Sequence, residues 1–313
     1  MVSIIITYHE EGLDFLWECI TQIKETVDIS EYELIVVDDC SKIGIPPIDG
    51  LKIIRNPVNI GVGQSFDVGV SHAVGEDIIL MACDMRFIAN GWASKLVKEI
   101  NEYPKSLICT ACVGLNADNM DFEVRRKVLR CYGATIIFFH DKKSNPKKEE
   151  SFRGILEAQW RPIDKEIKDM SYELPCILGA CYGVKKDWYQ YIDGFWGHRQ
   201  WGTLEPYISL KSWLFGGSCR VAPHIETAHI FKKDGTHAIL QDNLLYNKMM
   251  IATLLFNDSK RLIDFLGNNT IVQRSKNIFE QNRHSILKKK EEYINKIVLD
   301  IKEFCERWDI DYR

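Results

Sequence analysis

The first 90 residues alternate apolar runs with stretches in which apolar residues recur at helical spacing. The apolar runs cover residues 3–8, 33–39 and 77–83, and the helical spacing is found at residues 13–27 and 63–74. Strands that are apolar on both faces occur in parallel sheets that helices cover on both sides. The alternation therefore predicts an α/β fold with a mostly parallel central sheet flanked by helices.

The composition is that of an ordinary globular chain, and it narrows the function classes. Of 313 residues, 46% are hydrophobic and 27% are charged, and the formal net charge is −4. This balance argues against disordered and collagen-like chains, and no apolar run reaches the roughly 18 residues that a membrane span needs. No basic segment precedes the N-terminal apolar run, so we expect a first strand there and not a signal peptide.

The ten cysteines are scattered, many of them among apolar residues. Cys109 and Cys112 have the only C-x-x-C spacing, and neither a second pair nor a C-x-x-x-H accompanies them, which argues against a zinc site. Scattered cysteines among hydrophobic residues are typical of small buried thiols in a reducing compartment. We therefore expect no disulfide framework and a cytoplasmic location.

Polar side chains follow three of the predicted strands, namely Thr7 and Tyr8, Asp38 and Asp39, and Asp84. Ligands of open α/β sheets bind beyond the carboxyl ends of the strands. Carboxylates there suit a divalent cation on a diphosphate, or a nucleobase and ribose, although an Asp pair alone is also typical of a turn. No phosphate-binding G-x-x-x-x-G-K or G-x-G-x-x-G follows the first strand, which argues against a P-loop NTPase and a dinucleotide oxidoreductase.

Two further segments have distinct compositions. Residues 123–153 hold nine basic and four acidic side chains, which indicates a solvated loop or, alternatively, a basic face for an anionic acceptor such as DNA. Strand patterns fade after residue 235. Near the C-terminus an apolar stripe predicts one amphipathic helix that packs on the body, and its residues are Ile294, Ile297, Val298, Ile301, Phe304 and Trp308.

The ordered set of motifs resembles a known family. Five segments resemble the GT-A domain of family 2-like glycosyltransferases: SIIITY (3–8), VVDDCS (36–41), NIGVG (59–63), GED (75–77) and CD (83–84). Five more resemble the acceptor side of polypeptide N-acetylgalactosaminyltransferases and of related bacterial and phage enzymes: GACYGV (179–184), GF (194–195), WGTLEP (201–206), WLFGG (213–217) and HIFK (229–232).

The resemblance implies a Rossmann-like GT-A domain over residues 1–235, and we expect residues 236–313 to form a helical C-terminal extension. Carried over position by position, it implies that Asp38 or Asp39 reads the nucleobase. The full set of nucleotide contacts that it implies is Thr7, Tyr8, Asp38, Asp39, Asn59 and Gly61.

The metal motif departs from the family pattern. The family places Asp-x-Asp or Asp-x-His at the strand end, whereas this chain has Ala82, Cys83 and Asp84, so the first acid is missing. The last position is the usual metal ligand in the family. The resemblance therefore implies that Asp84 and His229 hold Mn²⁺ or Mg²⁺, of which Mn²⁺ tolerates an imidazole better. Without the resemblance, His229 would be interpreted as a core or surface histidine.

The tryptophan loop departs as well. In the family, two acidic or acid-amide residues usually follow Trp-Gly-x. In this chain the first of these positions holds Leu204 and the second holds Glu205, so one acid is missing. In an inverting enzyme Glu205 is the general base that deprotonates the acceptor hydroxyl, and in a retaining enzyme it orients the acceptor; a solvated loop residue is the alternative. We expect Trp201, Gly202 and Trp196 at the sugar or acceptor, with buried packing as the alternative for the tryptophans.

These observations predict a glycosyltransferase of the hexosyltransferase type, with Glu205 and Asp84 as catalytic residues. It moves a sugar from a nucleotide-sugar, expected to be a UDP-sugar, to a hydroxyl acceptor with the help of a divalent metal. The acids lost at Ala82 and Leu204 leave open a degenerate module that binds nucleotide-sugars without turnover. A phage-type enzyme acting on a modified DNA base is another alternative, whereas the segment 201–205 disfavours a nucleotidyltransferase. The sequence leaves open the donor sugar, the acceptor (glycan, protein or nucleobase) and the oligomeric state.

Overall fold

The structure, a computed structural model, describes residues 1–116, 118–138, 155–162, 170–231 and 240–312. The strands in these ranges are β1 Val2–Tyr8, β2 Tyr32–Asp38, β3 Lys52–Arg55, β4 Asp77–Ala82, β5 Met85–Arg86, β6 Ser106–Asn116, β7 Arg130–Ile137, β8 Glu157–Pro162, β9 Tyr172–Glu173, β10 Cys181–Lys185 and β11 Ser218–Phe231. They form one sheet with the order β3-β2-β1-β4-β10-β6-β11-β5, and β7, β8 and β9 lie off this path.

The predicted parallel sheet is confirmed in the N-terminal half of the fold. Strand β1 runs parallel to β2 and β4, and β2 runs parallel to β3. The two later long strands, β6 and β11, are also parallel to each other. Strand β10 is inserted between β4 and β6 and runs antiparallel to both. The sheet is therefore mostly parallel but mixed.

The helices cover both faces of the sheet. They are α1 Leu13–Thr26, α2 Val62–His72, α3 Trp92–Glu102, α4 Phe122–Arg126, α5 Lys186–Tyr191, α6 Leu204–Leu214, α7 Gln241–Leu255, α8 Ser259–Phe265, α9 Thr270–Ile294 and α10 Ile301–Arg307. Alternate residues of β1 point to opposite faces. Ile4 and Ile6 pack with α1 and α3 in one hydrophobic cluster, whereas Ile5 packs with α2 and α6 in the other.

The C-terminal helices share a core with the rest of the chain. Leu245 of α7, Phe279 of α9 and Phe304 of α10 belong to the same cluster as Ile5 and Tyr182 of the sheet. The expected boundary at residue 235 lies outside the described residues, so the division into a domain and an extension stays a prediction.

The prediction of one amphipathic C-terminal helix is wrong, because two helices divide the stripe. Helix α9 ends at Ile294, and Asp300 begins α10 with a capping box in which its side chain accepts from the backbone of the first turn. Between them the Val298 N–H donates to the carbonyl of Leu214 over 2.8 Å. Ile294, at the end of α9, and Val298, in the turn, are exposed, so they do not pack on the body.

The prediction of a solvated loop at residues 123–153 is wrong for its first part. Most of α4 and the whole of β7 lie there, and residues 139–153 are outside the described ranges. The cationic side chains of Arg126 and Arg130 both pair with Glu226, at 3.0 and 2.6 Å. Part of the basic charge of this segment is therefore neutralised within the fold.

The prediction that the cysteines are buried thiols is confirmed for nine of the ten. Nine of the ten cysteines are buried, all ten are free, and only Cys40 is partly exposed.

Candidate active site

A cavity of about 400 Å³ opens at the carboxyl ends of β1 and β4. Thr7 and Ala82 are paired in the β1–β4 register and line its wall. Asp84, Glu205 and His229 line the same cavity. Residues separated by more than 140 positions in the sequence thus meet where ligands of α/β sheets bind.

Asp84 and His229 lie side by side because β5 pairs with β11. His229 is opposite Met85 in this antiparallel pair, and the Ile230 N–H donates to the carbonyl of Asp84 over 3.1 Å. As a result His229 Nε2 is 3.1 Å from Asp84 Oδ1. Both side chains are largely buried, and His229 Nδ1 has no hydrogen-bond partner among the described residues.

This pair fits a divalent metal by its chemistry. A carboxylate oxygen and an imidazole nitrogen side by side suit Mn²⁺ better than Mg²⁺, which prefers oxygen ligands. In the ranges that the structure describes, no group of three or more His, Cys, Asp or Glu side chains is arranged to hold a metal ion. Asp84 and His229 therefore offer two ligands, and a metal bound here would need further ligands from outside this pair.

Glu205 lies in the first turn of α6 and faces the cavity. Burial raises the pKa of its carboxyl, while hydrogen bonds from the backbone N–H groups of Glu205 and Gly179 and the charge of nearby His229 oppose the rise. A Cβ on Gly179 would come within 2.8 Å of Glu205 Oε1. The absence of a side chain at Gly179 therefore makes room for the carboxylate.

Asp39 and Asp38 are engaged inside the protein. Asp39 is buried, and its carboxylate accepts from Asn56 Nδ2 at 2.9 Å, from the Ile60 N–H at 2.9 Å and from the Gly61 N–H at 2.7 Å. Asp38 accepts from the Ser41 N–H at 2.8 Å and pairs with Arg55. Neither aspartate is among the described residues that line the cavity.

The other four expected nucleotide contacts differ in whether they line the cavity. Thr7 lines the cavity, whereas Tyr8, Asn59 and Gly61 are not among its described lining residues. Tyr8 is buried, and burial raises the pKa of its phenol to about 12. Gly61 has φ +93°, and a Cβ there would lie 2.2 Å from Gln200 Cα. The loop that Asp39 holds is thus pressed against the loop before Trp201.

The tryptophans expected at the acceptor also differ from each other. Trp201 is 44% exposed and lines the cavity. Trp196 does not belong to its described lining; it packs against the core, with Lys289 Nζ 5.3 Å from its ring centroid. Gly202 has a structural role in its loop. Its φ of +98° favours glycine, and its carbonyl lies 2.7 Å from His198 Nε2.

Several lining residues were not predicted from the sequence, and two of them, Trp160 and Glu11, have stacking or polar chemistry to offer a ligand. Trp160 on β8 is 39% exposed and lines the cavity, with its ring centroid 4.9 Å from that of Phe231. No motif surrounds it, so the sequence carried no signal for its position. Glu11 also lines the cavity, and its place in the polar cluster after the first strand was the signal that could have identified it.

The comparisons with known proteins come from sequence and from structure. The sequence profile described as "Glycosyl transferase family 2" matches residues 3–167, more than half of the chain. The chain belongs to glycosyl transferase family 2. Among curated proteins, this family 2 chain is 22% identical over 287 residues to polypeptide N-acetylgalactosaminyltransferase 11 of Xenopus tropicalis, covering 83% of this chain and 43% of that protein. It thus spans less than half the length of that relative.

Solved structures share the fold. A crystal structure of GalNAc-T7 with UDP, GalNAc and Mn²⁺ superposes with a TM-score of 0.68 at 18% identity, over 98% of this chain and 56% of that one. The mannosyltransferase PcManGT from Pyrobaculum calidifontis, in complex with GDP-Man and Mn²⁺, gives a TM-score of 0.53 at 15% identity, over 90% of this chain and 75% of that one. The expected GT-A fold is confirmed. None of the described helices is both long and apolar enough to cross a bilayer.

Proposed function

We propose that this family 2 chain transfers a sugar from a nucleotide-sugar, a UDP-sugar by preference, to a hydroxyl acceptor. The observation that carries the proposal is the meeting of Asp84, His229 and Glu205 around one cavity at the carboxyl ends of the strands. The named complexes of the structural relatives contain UDP with GalNAc or GDP-Man, each with Mn²⁺. They support a nucleotide-sugar donor here.

Asp84 and His229 are the residues proposed to hold Mn²⁺, and the donor diphosphate supplies further oxygen ligands. A divalent metal, when bound, stabilises the negative charge of a departing diphosphate. The chain's own part is to hold the carboxylate and imidazole together, which the β5–β11 pairing does. Thr7, beside Ala82, is the proposed donor contact. Four residues that do not line the cavity are proposed to support the nucleotide-binding part of the site indirectly, and they are Asp38, Asp39, Asn59 and Gly61.

Glu205 is the proposed acceptor-side carboxylate. In an inverting reaction it removes the proton of the acceptor hydroxyl, and a pKa raised by burial favours that role because it strengthens the base. In a retaining reaction it accepts a hydrogen bond from the hydroxyl and orients it. Trp201 at the cavity offers a flat apolar surface for a sugar ring, and Gly202 supports its loop.

The acceptor is proposed to be a glycan or a protein hydroxyl. The pairing of Arg126 and Arg130 with Glu226 removes part of the basic face on which a DNA acceptor would depend. The ten free thiols support a reducing compartment, for which we propose the cytoplasm.

The test is release of nucleoside diphosphate from a panel of UDP-sugars and GDP-mannose, with Mn²⁺ and with EDTA. Asp84→Ala and His229→Ala are each expected to reduce release at least about 100-fold. The matched control is His224→Ala, since His224 Nε2 lies 3.5 Å from Glu99 Oε1 at similar burial but outside the described cavity lining. It is expected to leave the rate unchanged within twofold.

Two results would contradict the proposal. Equal rates in the Asp84, His229 and His224 variants would remove the metal pair from the reaction. Binding of UDP by the unmodified protein, without release from any donor, would instead identify a degenerate binding module.

A further inference from the structure

The backbone around Trp201 is held in an unfavourable conformation. Gln200, Gly202 and Thr203 have φ values of +50°, +98° and +64°. Non-glycine residues in this region cost about 1–3 kcal/mol each and persist only where their surroundings fix them. Since Trp201 and Glu205 line the cavity, the groups that fix this loop also fix two proposed acceptor contacts.

Two fully buried side chains, His198 and Asn247, hold the loop. His198 Nε2 lies 2.7 Å from the Gly202 carbonyl, and because a carbonyl only accepts, Nε2 carries the proton. Burial lowers the pKa of His198 to about 4, so the ring is neutral near pH 7. Asn247 Oδ1 accepts from the Arg199 N–H at 2.9 Å, and its Nδ2 donates to the Arg199 carbonyl at 2.8 Å.

The orientation of the Asn247 amide follows from these partners. Its Nδ2 is also 3.1 Å from His198 Nε2, but both nitrogens are donors and cannot bond to each other. Only the orientation with Oδ1 toward the Arg199 N–H satisfies that backbone unit. One carboxamide thus binds both polar groups of a residue two positions before Trp201.

Helix α7 adds two more contacts to the same loop. Asn243 Nδ2 donates to Gln200 Oε1 over 2.9 Å. A Cβ on Gly202 would lie 2.5 Å from Leu244 Cδ1, so the loop packs closely on the helix there. Helix α7 belongs to the part of the chain that the motif resemblance did not cover. It nevertheless contacts the loop of residues 198–203 directly.

We propose that Asn247 is a positioning residue for the acceptor side of the site. Its carboxamide holds the loop 198–203 so that Trp201 and Glu205 are presented to the cavity. The inference rests on the proposed glycosyl transfer, because it assigns Asn247 to the acceptor step. Truncation removes both side-chain bonds to Arg199 and loosens the loop, while the Asp84 and His229 pair on other elements stays in place.

The structural test uses 5-fluorotryptophan-labelled protein and ¹⁹F NMR, with the Trp201 line assigned by Trp201→Phe. Asn247→Ala is expected to shift or broaden the Trp201 line and to leave the lines of the buried tryptophans unchanged. The matched control on α7 is Thr253→Val, which removes a buried hydroxyl that donates to the Met249 carbonyl. It is expected to move none of the lines.

The kinetic test measures the acceptor kcat/KM and the Kd for UDP with Mn²⁺. Asn247→Ala is expected to lower the acceptor kcat/KM between about tenfold and 100-fold, with the Kd unchanged within twofold. Asn247→Asp keeps the acceptor for the Arg199 N–H but turns a carboxylate oxygen toward the Arg199 carbonyl, so it is also expected to displace the Trp201 line and to lower the acceptor kcat/KM.

An unchanged Trp201 line with an unchanged kcat/KM would overturn the inference. So would a shift of every tryptophan line together, because that pattern indicates a general loss of stability. If the unmodified protein transfers no sugar, the proposed function fails, and the Trp201 line still reports whether Asn247 positions the loop.

Discussion

Replacing Asp39 tests whether this carboxylate anchors a loop or reads a nucleobase. Three donors converge on it: Asn56 Nδ2 and the N–H groups of Ile60 and Gly61. In Asp39→Ala, Asn56 keeps a second partner in Ser65 Oγ at 3.0 Å, whereas both backbone donors lose theirs. An unsatisfied buried donor costs about 1–3 kcal/mol, so we expect a loss of about 3 kcal/mol in the free energy of unfolding.

Asp39→Asn divides this effect. The amide oxygen still accepts from Asn56 and Ile60, but its NH₂ group faces the Gly61 N–H, so we expect a loss of about 1–2 kcal/mol. Asp49 is exposed, and Asp49→Ala is the control, with an expected change within about 0.5 kcal/mol.

Urea unfolding with linear extrapolation measures all three variants. The expected order of destabilisation is Asp39→Ala, then Asp39→Asn, then Asp49→Ala. A difference of less than 1 kcal/mol between the two alanine variants would refute the anchoring argument. If Asp39→Asn lost affinity for UDP while its stability stayed unchanged, the result would support nucleobase recognition by Asp39 instead of loop anchoring.

Three further predictions follow from local geometry. Gly61→Ala is expected to lower the melting temperature far more than Gly50→Ala, because both have positive φ but only Gly61 would place its Cβ against Gln200; equal melting temperatures would contradict this. One thiol, Cys40, is expected to react quickly with a disulfide reagent in the native protein and all ten in urea, and more than one fast thiol would show that the buried set is accessible. Glu205→Gln is expected to slow transfer at least about 100-fold while UDP still binds, and a near-normal rate would exclude proton removal by this residue.

Local pattern predicted the elements that depend on nearby residues. Helix α1, predicted at residues 13–27, is found at Leu13–Thr26, and the strand predicted at residues 77–83 is β4, Asp77–Ala82. In α1 the period of the apolar residues agrees with the side that faces the core, whereas β4 is apolar and buried on both faces, as a covered parallel strand should be. The mostly parallel sheet and the buried thiols followed from the same kind of evidence.

Distant contacts decided what the sequence could not predict. Asp39 accepts hydrogen bonds from Ile60 and Gly61, which lie in a loop more than 20 residues further along the chain. The Asp38-Asp39 pair in the sequence gives no indication of these partners. The C-terminal stripe is divided because Asp300 caps a new helix and Val298 bonds to Leu214. Apolar periodicity alone does not distinguish a continuous helix from two helices with a turn between them.

Five of the residues expected at the site lie together in the structure, and their roles stay predictions. Asp84, His229, Glu205, Thr7 and Trp201 all line one cavity, and the ordered motifs had marked each of them. The contacts between α7 and the loop before Trp201 could not be predicted. The two segments are more than 40 residues apart in the sequence, and no motif includes α7.

The most direct measurement of the central claim is pulsed EPR of Mn²⁺ bound to the protein with UDP. Since His229 lies beside Asp84 at the proposed metal position, we expect ¹⁴N modulation from a directly bound imidazole. The modulation is expected to disappear in His229→Ala and to persist in His224→Ala. Absence of modulation in the unmodified protein, or its persistence in His229→Ala, would contradict the account.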